Sequence, residues 1–138
     1  MKIQRNRVLH YRFTAIAGLL LALLPWRLSA AEETDAAAVF TLASVDGRTV
    51  PAIIAHGGAT VEIRSGRFIL NADGTCNSRM VFSVGSRPEA LREVNATYTR
   101  EGSKLTMQWK GAGQTTGVLD GSTFTMKNEG LVYVYRRK

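Results

Sequence analysis

The sequence predicts an all-β protein, an eight-stranded antiparallel up-and-down barrel behind an N-terminal signal helix. Three observations predict it. Short runs rich in β-branched and aromatic residues recur from residue 39 to the end. Acid–glycine pairs separate them at Asp46-Gly47, Asp73-Gly74, Glu101-Gly102, Asp120-Gly121 and Glu129-Gly130. No stretch after residue 36 sustains apolar residues at helical spacing. Glycine supplies the positive φ of tight hairpin turns, and a preceding Asp tolerates the same region.

Residues 1–31 hold five of the 18 Lys and Arg (Lys2, Arg5, Arg7, Arg12, Arg27) and none of the 11 Asp and Glu. Residues 13–24 (FTAIAGLLLALL) are uncharged and apolar, Pro25 breaks the helix, and Ser29-Ala30-Ala31 precedes the acidic Glu32-Glu33. Basic, apolar and small-residue segments in that order form a secretory signal peptide. Cleavage is expected after Ala31, with Ala30 as the alternative site. Twelve apolar residues fall short of the roughly 20 that cross a bilayer. No stable membrane span is therefore expected after cleavage; an uncleaved signal anchor is the other reading. Arg5-Asn6-Arg7 is not a twin-arginine pair, which favours the general secretion route. The expected organisation is a signal peptide over 1–31 and a single barrel over 32–138, periplasmic or secreted from a bacterium.

The formal charge of +7 is mostly a leader effect, because residues 32–138 carry thirteen cations against eleven acids. Nucleic-acid binding is not expected: Arg48, Arg64, Arg67, Arg79, Arg87, Arg92 and Arg100 are spread along strands and loops. The terminal Arg136-Arg137-Lys138 reads either as a solubilising tail or as a contact for anionic lipid or lipopolysaccharide. A single cysteine excludes a disulfide framework and a multi-cysteine zinc site. Cys76 reads as a small buried hydrophobe or as a thiol free for an intermolecular disulfide.

Strands are expected over 39–45, 60–70, 75–83, 93–100, 104–109, 114–119, 123–127 and 131–137. Period-two alternation sorts their faces. Val94, Ala96 and Tyr98 oppose Glu93, Asn95, Thr97 and Thr99; Leu105, Met107 and Trp109 oppose Lys104, Thr106 and Gln108; Phe124 and Met126 oppose Thr123, Thr125 and Lys127. The second strand changes parity, with Val61 and Ile63 apolar at odd positions and Phe68 and Leu70 at even ones. A one-residue slip flips every side chain, so a bulge or kink is expected at Ser65-Gly66. The inward set is then Leu42, Val61, Ile63, Phe68, Leu70, Met80, Phe82, Tyr98, Leu105, Met107, Trp109, Phe124, Met126 and Tyr133. Closing the meander into a barrel removes exposed edges, and a two-layer sandwich is the alternative. A membrane barrel is not expected, because the non-core face carries Arg, Lys, Glu and Thr.

Three segments carry a family resemblance. FTLASVDG at 40–47 followed by Pro51, FILNADGT at 68–75, and Tyr98 through Gly102 with Lys104-Leu105-Thr106-Met107 resemble small bacterial lipocalin-like domains, over roughly residues 39–136. The resemblance implies a calycin-type secreted β-barrel, and in that fold the connection over 51–60 lies where a lid covers the open end.

Catalytic constellations are sparse. His56 is the one histidine outside the leader, no G-x-S-x-G elbow exists, and Gly111-x-Gly113 followed by Gly117 is not a dinucleotide fingerprint. No catalytic residue, metal site or cofactor is expected. A barrel of eight strands is either filled by side chains or holds one small ligand. The leading expectation is an exported, non-enzymatic barrel binding a small apolar or amphiphilic molecule through His56, Phe68, Tyr98, Trp109 and Tyr133. The alternative is a periplasmic protein-interaction module or inhibitor on a filled barrel, meeting an envelope partner through the charged, Pro-bearing segment 85–92 (GSRPEALR).

Overall fold

The computed structural model describes residues 37–138, so the expected signal helix and cleavage site lie outside the described residues. Ten strands follow in chain order: β1 (Ala38–Val45), β2 (Arg48–Thr49), β3 (Ala52–His56), β4 (Ala59–Leu70), β5 (Thr75–Val84), β6 (Ala90–Glu101), β7 (Lys104–Trp109), β8 (Gly113–Asp120), β9 (Thr123–Asn128) and β10 (Leu131–Arg137). The spatial order is β2-β1-β10-β9-β8-β7-β6-β5-β4-β3, and an antiparallel pairing of β1 with β4 closes it. All strands but β2 and β3 form the eight staves of a closed antiparallel barrel.

Two of the acid–glycine turns sit in the left-handed region at both central residues, Asp46-Gly47 (φ 48° and 76°) and Glu129-Gly130 (φ 51° and 80°). That geometry matches the twist of the flanking strands in a two-residue hairpin. Asp46 also ties its turn to β10. Its backbone N–H donates to the Val132 carbonyl at 2.8 Å, and the Val132 N–H donates to Asp46 Oδ1 at 2.7 Å.

The parity change in β4 is absorbed by a bulge. The register with β5 shifts between Ile63 and Ser65, so Arg64 and Ser65 both face outward while Ile63 and Gly66 face inward. The bulge therefore begins one residue before the Ser65-Gly66 site that the sequence suggests. β1 has the same device near Ala43, with a register shift between Leu42 and Ser44 that keeps both Leu42 and Val45 inside.

The structure corrects the expected lid. The connection after Pro51 is a hairpin: β3 pairs with the first half of β4, from Ala52↔Ile63 to His56↔Ala59, and buries Ala52 and Ile54. β1 pairs only with the second half of β4, from Ala38↔Leu70 to Thr41↔Arg67. The upper half of that edge would otherwise carry unsatisfied N–H and C=O groups, and β3 supplies their partners. Ala52–His56 mixes apolar residues on both faces, so period-two contrast gave no sign of it. A smaller correction concerns segment 85–92, whose last three residues belong to β6.

All fourteen side chains expected inside lie in the core cluster or pack against it. Phe40, Tyr135 and Cys76 join them, each at most 2% exposed. Phe68 sits at the centre, with ring centroids 4.9 Å from Phe124, 5.7 Å from Tyr135 and 6.1 Å from Trp109, the last edge-on. Aromatic pairs at such tilts add about 0.5–1.5 kcal/mol each beyond buried area. This cluster plugs the middle of the barrel.

The plug presses on one residue without a side chain. A Cβ on Gly117 would enter the Phe124 ring and come within 3.0 Å of the Thr125 carbonyl oxygen. Gly117→Ala is accordingly expected to destabilise the barrel by about 1–3 kcal/mol in urea unfolding. Burial pushes the Cys76 thiol up to about 11 from 9.0. At pH 8 such a thiol is roughly a hundredfold less ionised than an unperturbed one. Cys76 is therefore expected to resist iodoacetamide in the native protein and to react promptly in denaturant. Comparable rates in the two states would place the thiol outside the core.

Candidate functional site

The aromatic plug divides the barrel interior, leaving a small cavity at each end. The first, about 110 Å³, opens beside the β9–β10 turn. Its apolar wall comes from Met80 on β5, Val94 on β6, Trp109 at the end of β7 and Met126 on β9. Tyr133 and Tyr135 of β10 form the side nearest the plug, with Ser78 beside them. Arg92 and Glu129 add a charge of each sign. The second cavity, about 180 Å³, lies at the opposite end and includes Leu70, Tyr98, Arg100, Leu105 and Arg137.

The first cavity has the more convergent chemistry. Trp109 is buried and its Nε1–H donates to Thr115 Oγ1 at 2.8 Å, which locks the indole plane into the wall. Burial and then the Glu129 carboxylate raise the Tyr133 phenol above its ordinary value, while Arg92 acts in the opposite sense. Deeper in, burial pushes the Tyr135 phenol far above its usual range, against a hydrogen bond with Ser78. Both phenols thus stay neutral, and the charges at this mouth belong to Arg92 and Glu129. Arg92 lies on the inward parity of β6 with Val94, Ala96 and Tyr98, and its register partner is Met80. Among the described residues no ion pair involves Arg92. Glu129 instead faces His56, whose Nε2 lies 3.8 Å from its Oε2. Both partners are substantially exposed, so the pair stabilises by less than about 1 kcal/mol. It spans from the tip of the β3–β4 hairpin to the β9–β10 turn.

The five residues expected to contact a ligand separate into three places. Trp109 and Tyr133 line the first cavity, and His56 stands next to it through Glu129. Tyr98 lines the other cavity, where its hydroxyl donates to the Asn71 carbonyl at 2.6 Å. Phe68 is wholly buried between the two. Arg92 and Glu129 were missed. Arg92 was legible by extending the alternation of Val94, Ala96 and Tyr98 one step toward the N-terminus. Glu129 was legible as an unusual residue for the first position of a turn that favours Asn, Asp or Gly.

Among the described residues, no group of three His, Cys, Asp or Glu side chains is placed to hold a metal ion. No protein-family model matches the chain, and neither the curated proteins nor the solved structures contain a significant match.

A left-handed conformation at a residue with a long side chain costs about 1 kcal/mol or more. Glu129→Asn keeps the turn with a residue that visits this region readily, and is expected to raise stability by about 1 kcal/mol in urea unfolding. A loss of stability would show that the Glu129 carboxylate holds the mouth together more strongly than its exposure implies.

Proposed function

We propose that this chain is an exported, non-enzymatic, lipocalin-like barrel of bacterial origin, and that its mouth pocket takes the apolar end of a small amphiphilic molecule. One observation carries the reading: a concave apolar wall and a pair of opposite charges converge on the same mouth. Met80, Met126 and Trp109 offer polarizable, adaptable surface, as binding walls that accept varied apolar groups do. Arg92, free of ion pairs among the described residues, is available to a polar head group. The cavity volume restricts what enters. Ligand pockets for drug-sized molecules span roughly 300–1,000 Å³, and an engineered cavity of about 150 Å³ accepts benzene. A space of about 110 Å³ therefore takes at most part of one ring or a short alkyl end, with the rest of the molecule and the head group outside at Arg92.

The same plug supports a second reading, a protein-interaction module in the cell envelope. A shallow pocket of this size also fits one anchoring side chain of a partner protein. In that case segment 85–92 and the β3–β4 hairpin would form the surrounding contact.

Fluorescent probes separate the two. Anilinonaphthalene sulfonate is expected to bind the protein and to weaken roughly tenfold in Arg92→Gln, the scale of one charged hydrogen bond. Neutral phenylnaphthylamine, which shares the rings, should bind both proteins alike. If neither probe binds the native protein, the small-ligand reading fails and the partner reading stands.

A further inference from the structure

The outer face of the barrel carries a row of cations that the mouth pocket does not use. Arg136 on β10 faces Thr41 on β1, Thr41 faces Arg67 on β4, and Arg67 faces Arg79 on β5. All three arginines are exposed. Neighbouring strands lie about 4.8 Å apart, so the stems of Arg67 and Arg79 leave the sheet side by side. Directly opposed like charges weaken a sheet. Among the described residues no ion pair relieves them. Glu93 faces Arg79 across the next ladder, but its Oε1 accepts a hydrogen bond from the Asn77 amide at 3.0 Å.

One step along β5 and β6, beside Ser65 of β4, the outer face becomes apolar. Val81 pairs with Leu91 immediately beyond Arg79 and Glu93, and Leu91 is 52% exposed. On the other side of the arginines, Ile69 pairs with Val39. A doubled cation beside an exposed leucine matches a surface that offers phosphates next to hydrocarbon.

We propose that this β4–β5–β6 face docks the barrel onto an anionic lipid bilayer. The guanidinium groups of Arg67 and Arg79 would share lipid phosphates, which removes their mutual repulsion, while Leu91 and Val81 rest at the headgroup boundary. Arg136 extends the cationic row round the barrel. Charge complementarity identifies the occupant, and the apolar neighbours favour a bilayer over a soluble polyanion.

The test is co-sedimentation of the full chain with vesicles of phosphatidylcholine, with and without phosphatidylglycerol. The leader, with its five cations and its apolar run, is common to every variant and sets the same background for each of them on a given lipid. Each interfacial arginine contributes about fivefold to partition onto an anionic surface, so Arg67→Gln/Arg79→Gln should lose about 25-fold on phosphatidylglycerol vesicles. It should lose nothing on phosphatidylcholine alone. Arg67→Lys/Arg79→Lys should retain most of the binding, and added salt should weaken the wild type more than the glutamine variant. Without vesicles the glutamine variant should unfold at the same or higher urea concentration than wild type, because a repulsion has been removed. Equal vesicle binding by wild type and the glutamine variant overturns the proposal. So does a glutamine variant that is less stable than wild type, since the arginines would then serve the barrel itself.

Discussion

A sheet closes on itself only if every strand keeps its apolar set on the inner side along its whole length, and β4 is where that constraint is hardest to meet. Its twelve residues face two partners on one edge, β3 along the first half and β1 along the second. The outward pair Arg64 and Ser65 lets Ile63 and Phe68 both point inward despite their opposite parity. Closure, the central plug and the position of both cavities all follow from that bend. At its inner side Gly66 leaves room for Leu42: a Cβ there would come within 2.9 Å of the leucine side chain.

The plug then decides where open space is left inside the barrel. Phe40, Phe68, Phe124 and Tyr135 meet in the middle of the barrel, so the open space lies toward the rims. At the rim beside the β9–β10 turn, β7 ends with Trp109, β6 carries Arg92 near its start, and the turn places Glu129 in a strained conformation. The strained Glu129 thus sits at a mouth that also gathers aromatic, thioether and charged groups. Strain at Asp46 has a different sense, since its carboxylate caps the Val132 N–H and the residue type suits the conformation.

Most of the fold was legible because alternation and turn chemistry are local properties. Val94, Ala96 and Tyr98, or Leu105, Met107 and Trp109, declare their face without reference to any other strand. β3 was not legible, because Ile53 and Ala55 are as apolar as the buried Ala52 and Ile54. The site was only partly legible. Trp109 and Tyr133 belong to one cavity, whereas Tyr98, on the same inward face, belongs to the other. Alternation tells inside from outside but carries no information about position along the barrel axis.

The sequence by itself determined an all-β chain, the parity of its strands, the need for a bulge near Ser65 and most of the residues that would be inside. Each rests on interactions between near neighbours in the chain. Only the tertiary structure decided how deep the open space reaches and which charges share a mouth. It also set Arg67 beside Arg79 on the outer face. Those outcomes depend on the register between strands and on the pairing of β1 with β4, contacts between distant residues that no local pattern encodes.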